Sequence, residues 1–163
     1  MSAFDRAFEV VVGHEGGYVN NPKDPGGETK FGISKASYPN VDIKNITLDR
    51  AKAIYLTDYW GKLACDKMRA DVALLVFDAA VNNGVSRAAR WLQSAVGVAP
   101  DGAIGPATAA ALTKADPDKL RVEFMAQRIN FMGGLPTWPT FGLGWSRRLA
   151  QLPYDAARLQ QNP

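Results

Sequence analysis

The stretch HEGGYVNNPKDPGGETKFGIS, residues 14–34, decides how this chain is read. It holds five glycines, two prolines, two glutamates and one aspartate. It follows FDRAFEVVVG, residues 4–13, where Phe4, Phe8, Val11 and Val12 recur at helical spacing. Ser2 and Asp5 supply the S-x-x-D pattern of a capping box. A first helix is therefore expected from about residue 3 to Glu15, with Gly16-Gly17 stopping it. Residues 18–46 then show no helical period, and NNPKDPGGET is dense in turn formers. TKFGIS reads as a short strand, so a glycine-rich loop with a small β-hairpin is expected after the first helix.

Outward from that loop the chain reads as helices. Thr47 caps a helix carrying Leu48, Ala51, Ile54, Tyr55 and Tyr59. MRADVALLVFDAAVNNG has apolar residues at 68, 72, 75, 76 and 79 and is apolar nearly all round, the mark of a buried central helix. A further helix is expected from Ser86 to Val96. GVAPDGAIGP is a turn-rich joint, and Pro106 fits the first position of the next helix. Asp116-Pro117 repeats that start for a helix through Leu120, Phe124 and Ile129, ending at Gly133-Gly134. LPTWPTFGLGW reads as an irregular aromatic loop, and a last helix covers about Trp145 to Gln160, with Pro153 kinking or splitting it. The expected fold class is mainly α. The composition softens near residues 97–105, which suggests a first region over 1–96 and a second over 97–163, packed together as one compact unit.

With 163 residues the chain is long enough for a core that needs neither disulfide nor metal. Its single cysteine, Cys65, excludes an intrachain disulfide and reads as a small buried apolar residue. One histidine, His14, and the absence of a cysteine cluster argue against a metal site. No phosphate-binding loop or nucleophile-elbow serine occurs, and no cofactor is implied. The net charge is +3, and from Lys119 to Pro163 six Lys or Arg face two acidic residues. That bias suits an acidic polymer, but basic residues are not interleaved with aromatics, so nucleic acid is not expected. The opening residues lack the pattern of a signal peptide, and no segment reaches 18 uninterrupted apolar residues, so stable membrane insertion is not expected.

Glu15 and Asp24 suggest chemistry. Glycoside hydrolysis commonly uses two carboxyl groups in unlike environments. One is kept protonated by apolar surroundings and donates to the leaving oxygen. The other stays ionised in a polar setting and activates water or stabilises positive charge. Glu15, at the end of an apolar helix, suits the acid, because desolvation raises a carboxyl pKa. Asp24, in a polar glycine loop, suits the ionised partner, and Thr29 is placed to position a water. The plainer readings are a helix-end glutamate and an aspartate that starts a turn before Pro-Gly-Gly.

The same stretch closely resembles the opening motif of glycoside hydrolase family 108, N-acetylmuramidases of phage and bacterial origin that cut peptidoglycan. The resemblance continues through LDRAKAIYLTDYWGKL and ALLVFDAAVNNGVSRAARWLQ. VGVAPDGAIGPATAAAL and FGLGWSRRL look like the peptidoglycan-binding region that usually follows. The resemblance implies a lysozyme-like helical fold, a catalytic region over 1–96 and a peptidoglycan-binding-like region over 97–163. It places the family's catalytic glutamate at Glu15, in EGGY. A second similarity, to phage-type lysozymes, follows the order Glu15, Asp24, Thr29, with the last gap one residue shorter here.

Other residues are candidates for substrate contact. Tyr18 follows the glycines and is placed to stack on a sugar or pack over the loop. Tyr59 and Trp60 close a helix and serve either sugar contact or the core. Asp78 and Asn82, four apart on the central helix, share one face and either line a cleft or hold the loop. Asn83 adjoins them, while Trp91, Trp138 and Trp145 read as packing residues.

The expected activity is hydrolysis of the β-1,4 bond between N-acetylmuramic acid and N-acetylglucosamine. Its stereochemistry depends on carboxyl separation, about 6.5–9.5 Å for inversion and about 5–5.5 Å for retention. The expected setting is an endolysin, a monomer made in the host cytoplasm, released through a separate holin-type pore and acting at the wall. Competing classes are a non-catalytic wall-binding module and a lytic transglycosylase, with chitin or chitosan as a competing substrate.

Overall fold

The computed structural model describes residues 1–13, 17–20 and 26–161, and side chains as far as residue 159. The chain forms two compact units, Met1–Asp58 and Tyr59–Pro163. Among the described residues are seven α-helices and one three-stranded sheet. The expected mainly helical, lysozyme-like class with a small β-element after the first helix is what the chain adopts. No helix among the described residues is long and apolar enough to cross a membrane.

The first unit opens with α1, Ala3–Val12. Its capping box forms as the sequence foretells: Asp5 N–H donates to Ser2 Oγ at 3.0 Å, and Ser2 N–H donates to Asp5 Oδ2 at 3.2 Å. The helix ends at Val12, earlier than the expected Glu15, because Gly13 leaves helical geometry with φ of 68°, which only glycine adopts cheaply. Phe4, Ala7 and Phe8 are buried, and Phe8 meets the Tyr55 ring edge-on at 5.4 Å between centroids. Tyr55 belongs to α2, Leu48–Tyr55, capped by the Thr47 hydroxyl, which accepts from Arg50 N–H at 3.2 Å.

Strands β1, Val19–Asn20, β2, Glu28–Lys30, and β3, Ile33–Ser34, form an antiparallel meander. Thr29 faces Val19 on one side and Ser34 on the other. The stretch TKFGIS is thus a hairpin rather than a single strand. Phe31 and Gly32 form its two-residue turn, with φ of 50° and 73°. Both values are positive, as a turn matching the twist of the strands requires. Tyr55 fixes the turn by donating its hydroxyl to Phe31 O at 3.1 Å. A Cβ on residue 32 would overlap that hydroxyl, so Gly32 is required by space as well as by φ.

After α2 the helix continues as a π-helical turn, Leu56–Gly61. This shifts the inward position. An α-helical count carries the apolar face from Tyr55 to Tyr59, whereas i→i+5 bonding carries it to Trp60. Tyr59 is accordingly half-buried and Trp60 fully buried.

The second unit is built on α3, Ala70–Asn83. Every residue from Asp71 to Ala80 is buried, as the all-round apolar sequence requires. Around α3 pack α4, Val85–Ala95, α6, Pro117–Gly133, and α7, Trp138–Gln161. Helix α5, Pro106–Lys114, follows the turn-rich joint. A buried glutamine secures that joint. Gln93 donates from Nε2 to Asp101 Oδ1 at 2.6 Å and to Ala103 O at 2.9 Å, and its Oε1 accepts from Gly102 N–H at 2.8 Å.

Helix α7 starts well before the expected Trp145, so LPTWPTFGLGW is largely helical. Pro139 falls in its first turn, where a missing N–H costs nothing. Gly142 is one turn after Trp138, and a Cβ there would strike the indole at 2.8 Å. The glycine that suggests a loop is therefore what lets Trp138 lie along the helix. Pro153 lies inside the helix without splitting it.

Two ion clusters fasten α3. At its start, Arg69 bridges Asp71 and Asp118, each at 2.6 Å, and Arg121 reaches Asp71 at 3.1 Å. These bonds, to Asp71 first and Asp118 next, hold the Arg69 guanidinium above its ordinary range. Further along, Asp78 is fully buried and paired with both Arg128, at 2.7 Å, and Arg148. Cys65 is buried as expected, and burial pushes its thiol well above the ordinary range.

Asp78→Asn should destabilise the protein by about 3–5 kcal/mol, because two guanidiniums would lose their buried counter-charge; urea unfolding reads the loss. In α1, the Ser2 bonds and then Lys52, at 3.0 Å, hold the Asp5 carboxyl down at about 2. The stability it supplies is present above the unfolded value of 3.8 and is lost as pH falls through about 2. Asp5→Asn should cost roughly 0.5–1 kcal/mol at neutral pH, solvent screening keeping it small. That difference should close between pH 3.8 and about 2 when both proteins are melted across pH.

Candidate active site

Glu15 and Asp24, the two carboxylates singled out by the sequence, lie outside the described residues, as does His14. What the structure describes around them in sequence is the sheet of the first unit. Tyr18 directly precedes β1 and is 38% exposed, so its ring is available to a ligand. Its hydroxyl donates to Glu28 Oε1 at 2.6 Å. That bond, with the repulsion a phenolate would feel from the carboxylate, raises the Tyr18 pKa. The ring is thus held neutral and fixed at its tip, leaving its face as the part offered for contact.

Glu28 is a residue that sequence reasoning passed over. Its signal was available, since it immediately precedes Thr29 in the same glycine-rich stretch. Alternation along β2 sends Glu28 and Thr29 to opposite faces of the sheet. Thr29 is half-buried, and among the described residues its hydroxyl reaches Gly27 O, at 3.5 Å, the outer limit of a hydrogen bond. With its one proton directed to Gly27 O, the hydroxyl oxygen offers lone pairs as an acceptor. The register pairs Val19 with Thr29 and Asn20 with Glu28, so Tyr18, bonded to Glu28, lies on the face of the sheet opposite to Thr29.

The remaining candidates belong to the second unit. Tyr59 is half-buried. Trp60 is fully buried, and its Nε1 donates to Asp66 Oδ1 at 2.8 Å. Its ring meets Phe77 edge-on at 5.5 Å. With no exposed surface and its only donor used, Trp60 is a packing residue, which corrects the expectation of sugar contact. Asp78 is corrected on the same ground. Its carboxylate is enclosed by Arg128 and Arg148 and holds helices together. Asn82 does share its face, donating from Nδ2 to Asp78 O at 2.8 Å, but it is exposed. It stands at the rim of a cavity of about 340 Å³, with Asn83 and three arginines. Trp91 packs against Phe124 and Phe131, as its expected packing role requires. Among the described residues no group of three or more His, Cys, Asp or Glu is placed to hold a metal.

The family described as Glycosyl hydrolase 108 matches residues 8–84, which include Glu15, Tyr18, Asp24, Thr29, Tyr59, Trp60, Asp78 and Asn82. The family described as Predicted Peptidoglycan domain matches residues 87–150. No curated protein matches the sequence. Among solved structures, SagA from Brucella abortus is similar at 36% identity and a TM-score of 0.84. The similarity covers 98% of this chain and 96% of that one. An identity of that order over nearly both whole chains, joined to the two family matches, means that the chain belongs to glycoside hydrolase family 108 and is a cell-wall glycoside hydrolase with a peptidoglycan-binding region.

Proposed function

We propose that the protein is an N-acetylmuramidase that hydrolyses the β-1,4 bond between N-acetylmuramic acid and N-acetylglucosamine, with Glu15 as general acid. The observation that carries this reading is the family match over residues 8–84, which includes Glu15 in its EGGY context, beside a peptidoglycan-domain match over 87–150. Glu15 donates its proton to the leaving oxygen. Asp24, aided by the Thr29 hydroxyl, orients water or stabilises the oxocarbenium-like charge. The Thr29 hydroxyl, 3.5 Å from Gly27 O, has acceptor lone pairs that suit this part. Tyr18, tethered by Glu28, presents its ring to a sugar, and Tyr59 and Asn82 are further contacts. The division of labour follows the chain, with catalysis in residues 1–96 and wall binding in 97–163.

The setting that goes with this reading is that of an endolysin. It acts as a monomer, is made in the host cytoplasm and reaches the wall through a separate holin-type pore. The phage members of the family it resembles support this. Expression in a bacterial host should therefore cause lysis only when such a pore is co-expressed.

Glu15→Gln should lower the rate of peptidoglycan digestion by about 10²–10⁴-fold, the usual worth of a positioned general acid. Thr29→Val should cost less, roughly tenfold, the loss of one hydrogen bond in the transition state. Mass spectrometry of the products identifies the chemistry. Reducing N-acetylmuramic acid ends support the muramidase. Anhydro ends would instead make the protein a lytic transglycosylase. Release from chitin alone would move the substrate. Binding to wall without release by the wild type would leave only a binding module.

A further inference from the structure

The cavity beside Asn82 has a composition that the hydrolytic chemistry does not use. It measures about 340 Å³, the size of a small-ligand site, and lies wholly within the second unit. Asn82, Asn83, Arg87, Arg128 and Arg148 supply its polar lining, and no acidic residue lines it. Phe131 and Trp145 are among its apolar walls. A larger cavity of about 550 Å³ near α5 is lined by alanines together with Lys114, Lys119, Asp116 and Glu123, whose charges balance.

Charge in the smaller cavity does not balance. Asp78 lies behind it and carries one negative charge against the guanidiniums of both Arg128 and Arg148. Arg128 is the more constrained, with its side chain 1% exposed. Its Nε donates to Asn83 Oδ1 at 2.9 Å. Its Nη1 is 2.7 Å from Asp78 Oδ1, yet its N–H bonds are not aimed at that oxygen, so the contact is an ion pair without a formed hydrogen bond. Burial pulls this guanidinium below its ordinary value, with Asp78 opposing and Arg148 adding to the effect. Arg87 adds a third cation at the rim. Its guanidinium lies 4.2 Å from the Phe131 ring centre and donates to Asn83 O at 2.9 Å, which fixes its plane.

A buried, donor-rich and positively charged floor under an aromatic wall calls for an anion with small apolar groups beside it. A neutral sugar offers neither. The peptide stems of peptidoglycan offer both, since they carry free carboxylates between alanine methyl groups. Most of the lining residues also fall within the matched peptidoglycan domain, residues 87–150. We propose that this cavity is a carboxylate-binding subsite that receives the peptide stem of peptidoglycan, with Arg87, Arg128 and Arg148 as donors and Phe131 and Trp145 as the apolar wall. This rests on peptidoglycan being the substrate. It adds that the protein reads the peptide as well as the glycan.

The test is calorimetric titration of the full chain with a free stem tetrapeptide, the same peptide with its carboxylates amidated, an N-acetylglucosamine oligomer, and inorganic phosphate. The free peptide should bind, the amidated peptide about tenfold or more weakly, as loss of charge-assisted hydrogen bonds implies. Arg87→Ala should weaken the free peptide by about tenfold with an unchanged thermal midpoint, and Arg87→Lys should restore part of that affinity. Equal affinity for both peptides, phosphate binding as tightly as the free peptide, or an unaltered affinity in Arg87→Ala would each overturn the proposal. Digestion assays on the same preparations keep the two ideas apart. Hydrolysis without stem binding sinks the subsite alone, and stem binding without hydrolysis sinks the muramidase alone.

Discussion

The second unit depends on one buried carboxylate. Asp78 sits in the middle of a helix whose neighbours are apolar, and two guanidiniums from α6 and α7 close on it. An ion pair of this kind adds little net stability over a well-packed apolar alternative, but it allows few other arrangements. Arg128 and Arg148 can meet one carboxylate only when α6 and α7 lie at one particular level along α3. Apolar packing alone would tolerate sliding by a turn. The Arg69–Asp71–Arg121–Asp118 cluster sets the same level from the other end of the helix. Two polar clusters, both on α3, thus define the bundle that the apolar residues fill.

The first unit solves a different problem. It must present a polar loop on very little core. Its devices are local: a capping box on α1, a capped α2, and a hairpin turn whose carbonyl is held by Tyr55. Short strands of two or three residues carry few ladder bonds, so the side-chain bonds at Tyr18, Tyr55 and Lys30 matter in proportion.

Local signals in the sequence match the local structure closely. Ser2, Thr47 and Asp116 each cap a helix as their side chains suggest, and the apolar run 70–83 is the buried helix that its composition demands. The failures have physical causes. Nothing in LTDYWG announces a π turn, and one residue of shift was enough to exchange Tyr59 for Trp60. Proline and glycine in LPTWPTFGLGW suggested a loop, because the packing that makes Gly142 useful to Trp138 is invisible without coordinates. Sequence spacing leaves Asp78 either lining a cleft or holding the loop, because its partner Arg148 is 70 residues away, a distance over which periodicity says nothing. The candidate site divides similarly. Its motif was legible as sequence, whereas the Tyr18–Glu28 tether and the cationic cavity needed three dimensions.

Cys65 carries a consequence for where this protein can work. It is the sole sulfhydryl in the chain, it is 1% exposed, and burial disfavours its thiolate. A thiol in that state neither exchanges with external disulfides nor bridges to another chain. The fold therefore carries no redox requirement of its own. Reducing and oxidising solvents are equivalent for it.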